Sequence, residues 1–127
     1  MATNTNYQLG LLYLVHLLIN ADGVIDEKER SALVKIKTLE KIPDSLFAKF
    51  EEEIAVRKER EIYHTGIDLI NECSDQEKLS AFVHLYQMSE ADGRVHVKEV
   101  RLLLYSIRQA GIEFEDVVRQ AAKLKFT

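Results

Sequence analysis

With Cys73 as its only cysteine, the chain can form no internal disulfide and no cysteine-based zinc site. A lone thiol of this kind reads as a small core residue and fits a reducing compartment. Proline is confined to Pro43, and only five glycines are present, which leaves little room for long loops. No apolar run is long enough to span a bilayer. The longest, residues 9–19, is interrupted by His16 and falls short of the roughly 20 residues a spanning helix needs. It has no basic stretch before it and no small-residue cleavage site after it, so no signal peptide is expected. An excess of positive charge is also missing. The net charge is -4, and bases alternate with acids, as in the Arg57-Lys58-Glu59-Arg60-Glu61 stretch. That pattern is a solvated helix face and argues against nucleic-acid binding.

The enzyme signatures are missing as well. There is no nucleophile elbow, no phosphate-binding glycine loop and no His-Glu-x-x-His pair. The four histidines, His16, His64, His84 and His96, form no ligand pair at helical spacing. His16 and His84 sit in largely apolar segments and read as satisfied buried or boundary residues. The expectation is a non-enzymatic protein.

What is present is enough for a globular core. The 127 residues are 46% hydrophobic and 30% charged, the size and balance of one folded domain, here taken as 1–127. Apolar residues recur at helical spacing. Leu79, Phe82, Val83 and Tyr86 follow i, i+3, i+4, i+7, and so do Phe114, Val117, Val118 and Ala121. Val97, Val100, Leu104 and Ile107 make another stripe, and Phe47, Phe50 and Ile54 a shorter one. No sustained alternation marks a strand. Breakers predict an all-α fold of about seven helices, over residues 7–21, 27–40, 45–56, 60–73, 75–91, 97–110 and 113–125. The first is apolar on nearly all sides, which predicts a central, wrapped position.

An internal repeat organises these helices. An offset of seventy residues brings Ala21-Asp22-Gly23 onto Ala91-Asp92-Gly93, Lys28 onto Lys98, Glu29 onto Glu99 and Leu33 onto Leu103. It continues through Ile42 with Ile112, Phe47 with Val117 and Ile54 with Leu124. Two three-helix copies, about 7–56 and 77–125, joined by a connector helix, predict a closed bundle with pseudo-twofold symmetry. Two copies are too few for a solenoid.

The Asp-Gly turns carry the candidate chemistry. Gly23 and Gly93 can take positive φ and end their helices in left-handed caps. Asp26 with Glu29 forms a capping-box pattern for the next helix, whereas the second copy has His96 at the cap and Arg94 in the turn. Asp22 and Asp92 sit at helix C-termini, where the macrodipole disfavours an anion by about 0.3–1 kcal/mol. One reading turns each carboxylate toward the N-terminus of the following helix. The other makes Asp22, Glu29, Asp92 and Glu99 ligands for a hard divalent cation, Ca²⁺, Mg²⁺ or Mn²⁺. The turns imitate an EF-hand only in part, because the loop's first ligand position holds Leu18 in one copy and Met88 in the other.

The doubled pattern Ala-Asp-Gly-x-(Ile/Val)-x-x-x-Glu in a helical chain resembles the TerB family of tellurite-resistance proteins, over about residues 7–124. The resemblance implies a seven-helix fold in a bacterial, cytoplasmic stress-response protein. It further implies a non-enzymatic scaffold, positioned peripherally at the inner membrane face with a membrane-embedded protein partner. It assigns the acidic turn residues Asp22, Glu29, Asp92 and Glu99 to divalent-cation binding. A dedicated metal-ion sensor or buffer, unrelated to tellurite, is the alternative. An interaction domain also needs an exposed apolar patch, for which the outer sides of the first and last helices are the candidates. The Glu51-Glu52-Glu53 run reads either as an acidic docking surface or as a plain solvated face.

Overall fold

A computed structural model describes residues 5–19, 27–91, 97–107 and 112–123. Seven helices follow in order: α1 Thr5–Ile19, α2 Glu27–Leu39, α3 Asp44–Val56, α4 Glu59–Asn71, α5 Asp75–Ala91, α6 Val97–Ser106 and α7 Phe114–Lys123. Among the described residues no strand occurs. The all-α class and the helix count expected from the apolar spacing are both found. α6 gives way to a bend at Ile107 and α7 begins at Phe114, while residues 108–110 and 124–125 of the expected helices lie outside the described residues.

α1 is the axis of the fold. Apart from Thr5, Asn6 and Leu17, all its residues are buried, because it packs against α2, α3, α4 and α5. An apolar stripe around most of a helix can be satisfied only by neighbours on most sides. The closest of these is α4. Gly10 on α1 and Gly66 on α4 let the two backbones approach. A Cβ added at Gly10 would stand 3.0 Å from Ile70 and 3.1 Å from the Cβ of Leu69, and one at Gly66 would stand 3.1 Å from the Cβ of Tyr13. Neither neighbouring Cβ can rotate away.

The other helices are placed by what they bury. α3 turns Phe47, Phe50 and Ile54 inward, the stripe its spacing predicts. Phe50 is wholly buried and tilts against both Tyr13 and Phe47 at 5.8 Å between ring centroids. α5 packs on α6 and α7, and Gln87 donates to the carbonyl of Ala121 at 3.2 Å. α6 buries Val100, Leu103 and Leu104, while Val97 of its expected stripe is 46% exposed. The first residue of a helix has no preceding turn to hold its side chain inward.

Local signals fix the boundaries. Ser74 and Glu77 exchange hydrogen bonds in a capping box, Ser74 N–H to Glu77 Oε1 at 3.0 Å and Glu77 N–H to Ser74 Oγ at 3.2 Å. α2 ends in a Schellman motif, with Ile42 N–H donating to the Lys37 carbonyl at 2.9 Å and Lys41 in the left-handed region at φ 53°. Ile42 is then buried and Pro43 opens α3. Nothing in the sequence marks Lys41 for this conformation, which glycine adopts more cheaply.

The α1–α4 approach yields a direct test. Alanine favours a helix interior over glycine by about 1 kcal/mol, whereas overpacking costs about 1–3 kcal/mol. Gly10→Ala and Gly66→Ala are each expected to lower stability by about 1 kcal/mol in denaturant unfolding. A stabilised variant would show that the helices are not held this close.

Candidate functional site

The two glutamates of the doubled Ala-Asp-Gly pattern lie in different surroundings. Glu29, on the first turn of α2, is wholly buried, and its Oε2 meets Nδ1 of His16 on α1, also wholly buried. The ring of Phe50 stands edge-on to the imidazole at 6.2 Å. Among the described residues Nε2 of His16 has no hydrogen-bond partner. Desolvating two ionisable groups costs several kcal/mol each, so such a pair is no economical source of stability. Removing one member alone breaks a buried contact without removing the other ionisable group.

Glu99 is exposed and lines a groove of about 400 Å³ between α1, α4 and α6. Leu17, Leu18, Leu102 and Leu103 form its apolar surface, and Glu59, Arg60 and Glu99 carry its charge. Tyr63 also lines it, its hydroxyl donating to Ser106 Oγ at 2.6 Å. Leu102 and Tyr105 are 59% and 64% exposed on the outer face of α6.

The four proposed ligands are therefore not equivalent. Asp22 and Asp92 lie outside the described residues, as do the turns themselves. Glu29 is engaged by His16, while Glu99 faces solvent. Among the described residues no three His, Cys, Asp or Glu side chains gather as a metal cluster. A hard cation at the first turn would have to share Glu29 with the imidazole. His16 and Glu29 together offer one nitrogen and one carboxylate, a donor pair of borderline rather than hard character.

A further polar cluster was not visible in the sequence. Glu40, just beyond α2, accepts from the Tyr7 hydroxyl at 2.8 Å and lies 2.6 Å from Nε2 of His84. Ser80 Oγ is 3.1 Å from the Tyr7 hydroxyl, and Gln8 donates to the carbonyl of Glu40 at 3.0 Å. Burial works against ionisation of Glu40, but the hydrogen bonds from His84 and Tyr7 hold its carboxyl below the usual range. Burial, chiefly, pushes the Tyr7 phenol far above its ordinary value. It therefore stays protonated and donates. The cluster ties the start of α1 to the end of α2 and the middle of α5. Residues 33 and 73 positions apart meet here, and no local spacing could reveal that.

The remaining candidates resolve simply. Cys73 is buried, and burial lifts its thiol to about 11, the state of an unreactive core cysteine. Glu51 pairs with Arg30 at 2.8 Å and Glu53 with Arg57 at 2.5 Å, as on a solvated helix face. Among the described residues no helix is long and apolar enough to cross a membrane. Comparison with protein-family models, curated proteins and solved structures returns no match.

Two measurements probe these clusters. His16→Leu and Glu29→Leu should each cost about 3–5 kcal/mol, because each breaks a buried pair of ionisable groups, whereas His16→Leu with Glu29→Met should recover most of that loss. A double variant as unstable as the summed singles would show that the pair holds the fold in some other way. Glu40 gives the pH test. Its folded pKa lies below the ordinary 4.5, so the folded form binds fewer protons than the unfolded chain. Its contribution is complete above that ordinary value and is lost as pH falls through the folded one. The stability gap between wild type and Glu40→Gln should shrink between pH 7 and pH 3 in urea unfolding. A constant gap would remove Glu40 from the acid response.

Proposed function

We propose that this chain is a non-enzymatic binding module of the TerB-like kind, acting in bacterial chemical-stress response by docking a protein partner. The observation that carries the reading is the groove between α1, α4 and α6, with Leu102 and Tyr105 exposed beside it. Leucine and tyrosine side chains this exposed, next to an apolar groove with a charged rim, have the anatomy of an interface core and its surround. The patch lies on α6. Of the two helices expected to carry such a patch, the first lends Leu17 and Leu18 to the groove, and the last turns Val117 and Ala121 inward.

The two-copy architecture belongs to the same proposal. α1 packs on α2 and α3 as α5 packs on α6 and α7, a correspondence that supports the seventy-residue offset. The matched apolar positions support it: Leu33 and Leu103, Ile42 and Ile112, and Phe47 and Val117 are all buried. Cation binding at Asp22, Glu29, Asp92 and Glu99 is the module's second element, with Ca²⁺, Mg²⁺ and Mn²⁺ as the ions to test. A cytoplasmic position at the inner membrane face, beside a membrane-embedded partner, completes the reading. The alternative of a dedicated metal sensor or buffer draws on the His16–Glu29 pair, which links the first turn of α2 directly to the central helix.

One experiment separates these readings. The metal-stripped chain is titrated with each cation and followed by amide NMR, beside an Asp22→Asn, Asp92→Asn variant. Saturable shifts confined to residues 20–30 and 90–100, lost in the variant, are expected for a scaffold with decorated turns. Shifts running through all helices would favour the sensor. In a deletion strain, Leu102→Asp with Tyr105→Asp should fail to restore tellurite tolerance while melting like wild type. Full restoration would remove the groove from the function.

A further inference from the structure

We propose that His16 sets the cation of the first Asp-Gly copy: its Nε2 is a metal-binding atom for a borderline divalent ion of the Zn²⁺ or Co²⁺ kind, and Glu29 is the positioning residue behind the ring. The inference rests on the cation reading of the first turn. It changes both the ion and the part that Glu29 plays.

Position comes first. His16 stands on the last turn of α1 and Glu29 on the first turn of α2, so the pair closes the base of the connection 20–26, which carries Asp22. A carboxylate on one ring nitrogen and a metal on the other is the usual setting of a ligating histidine. The carboxylate fixes the tautomer and the ring plane and makes the ring a better donor. One side of that setting is built here. Glu29 Oε2 meets Nδ1, and in the tautomer that donates from Nδ1 to the carboxylate, Nε2 presents a lone pair. That atom is wholly buried and has no hydrogen-bond partner among the described residues. Buried polar atoms are rarely left so, and a bound ion or an ordered water is what accounts for such cases.

The chemistry of that atom selects the ion. Imidazole nitrogen suits Zn²⁺ and its transition-metal neighbours. Mg²⁺ keeps several of its waters, and Ca²⁺ takes roughly six to eight oxygens. A single nitrogen in this core supplies neither: Phe50 stands edge-on to the ring, and Leu12 and Ile19, one turn to either side on α1, are buried. The second copy has no counterpart. The position paired with His16 under the seventy-residue offset is Tyr86, and Glu99 is exposed.

The test follows the histidine side chains of the metal-stripped full chain by ¹⁵N NMR during titration with Zn²⁺, Ca²⁺ and Mg²⁺. Zn²⁺ is expected to move His16 Nε2 saturably while Nδ1 keeps its proton, and Ca²⁺ and Mg²⁺ to leave that ring unmoved. Co²⁺ absorbance then reads the variants. His16→Gln should abolish the Co²⁺ signal of this site. Glu29→Gln, whose amide oxygen still accepts from Nδ1, should weaken Co²⁺ binding by about 10–100-fold, with Nε2 still shifted at saturating Zn²⁺. Should either variant not fold, the wild-type spectrum decides alone. A His16 ring unmoved by saturating Zn²⁺ overturns the proposal, and an ordered water then accounts for Nε2. Zn²⁺ that shifts only His64, His84 or His96 overturns it too, as does Ca²⁺ that shifts His16 as strongly. Saturable Ca²⁺ or Mg²⁺ shifts at amides 20–30 beside an unmoved His16 ring would overturn it and leave the cation reading of the turn standing. No response of those amides to any of these ions would remove both.

Discussion

The closeness of α1 and α4 is the constraint on which the rest of the fold depends. A helix with buried residues almost all the way round needs neighbours on most sides, and there is room for them only if one packs at short range. Gly10 and Gly66 provide that range by removing one Cβ from each helix. With α4 held there, α2 and α3 cover further sides of α1, and α5 brings α6 and α7. The groove is a by-product of the same arrangement. Leu17 and Leu18 near the end of α1 form its floor with residues of α4 and α6, and the space between these helices stays open.

Polar groups inside such a core must be satisfied by partners distant in sequence, and the protein does this at both ends of α1. Near its start, the Tyr7 hydroxyl and the Gln8 amide hold the segment that closes α2. Toward its end, His16 holds the beginning of α2 through Glu29. Both clusters draw their carboxylate from the α2 region, so the orientation of α2 on α1 is set by two polar clamps as well as by Leu33 and Ile36. Apolar contacts alone would tolerate rotation of α2 about its axis; two clamps a helix length apart do not.

Much of the architecture was legible because helical periodicity is local. The α3 stripe, the break at Pro43 and the wrapped character of α1 all follow from neighbours within seven residues. What could not be read depends on long-range geometry. Lys41 takes a left-handed conformation because Ile42 must reach the core, and that demand comes from the far side of the turn. The Glu40 cluster and the His16–Glu29 pair join helices whose faces periodicity alone cannot set against each other. The exposed Leu102 and Tyr105 of α6 were not singled out for a related reason. A hydrophobic stripe shows that a face is apolar, but not that another helix covers it.

The two glutamates of the doubled motif carry this point to function. Under the seventy-residue offset, Glu29 and Glu99 occupy the same place in the pattern, and the leucines four residues on are both buried. Their surroundings nonetheless differ, because the position equivalent to His16 is Tyr86. A tyrosine offers no cationic partner to a carboxylate. Tyr86 instead stacks edge-on against Phe114 at 5.7 Å, and the Arg101 guanidinium caps that ring at 4.7 Å. Without a basic partner inside, a carboxylate is better left in water, and Glu99 stays on the surface at the groove rim. At the paired positions of the doubled pattern, histidine accompanies a buried acid and tyrosine an exposed one, so the two glutamates are not alike: Glu29 meets His16 in the core, and Glu99 faces solvent at the groove rim.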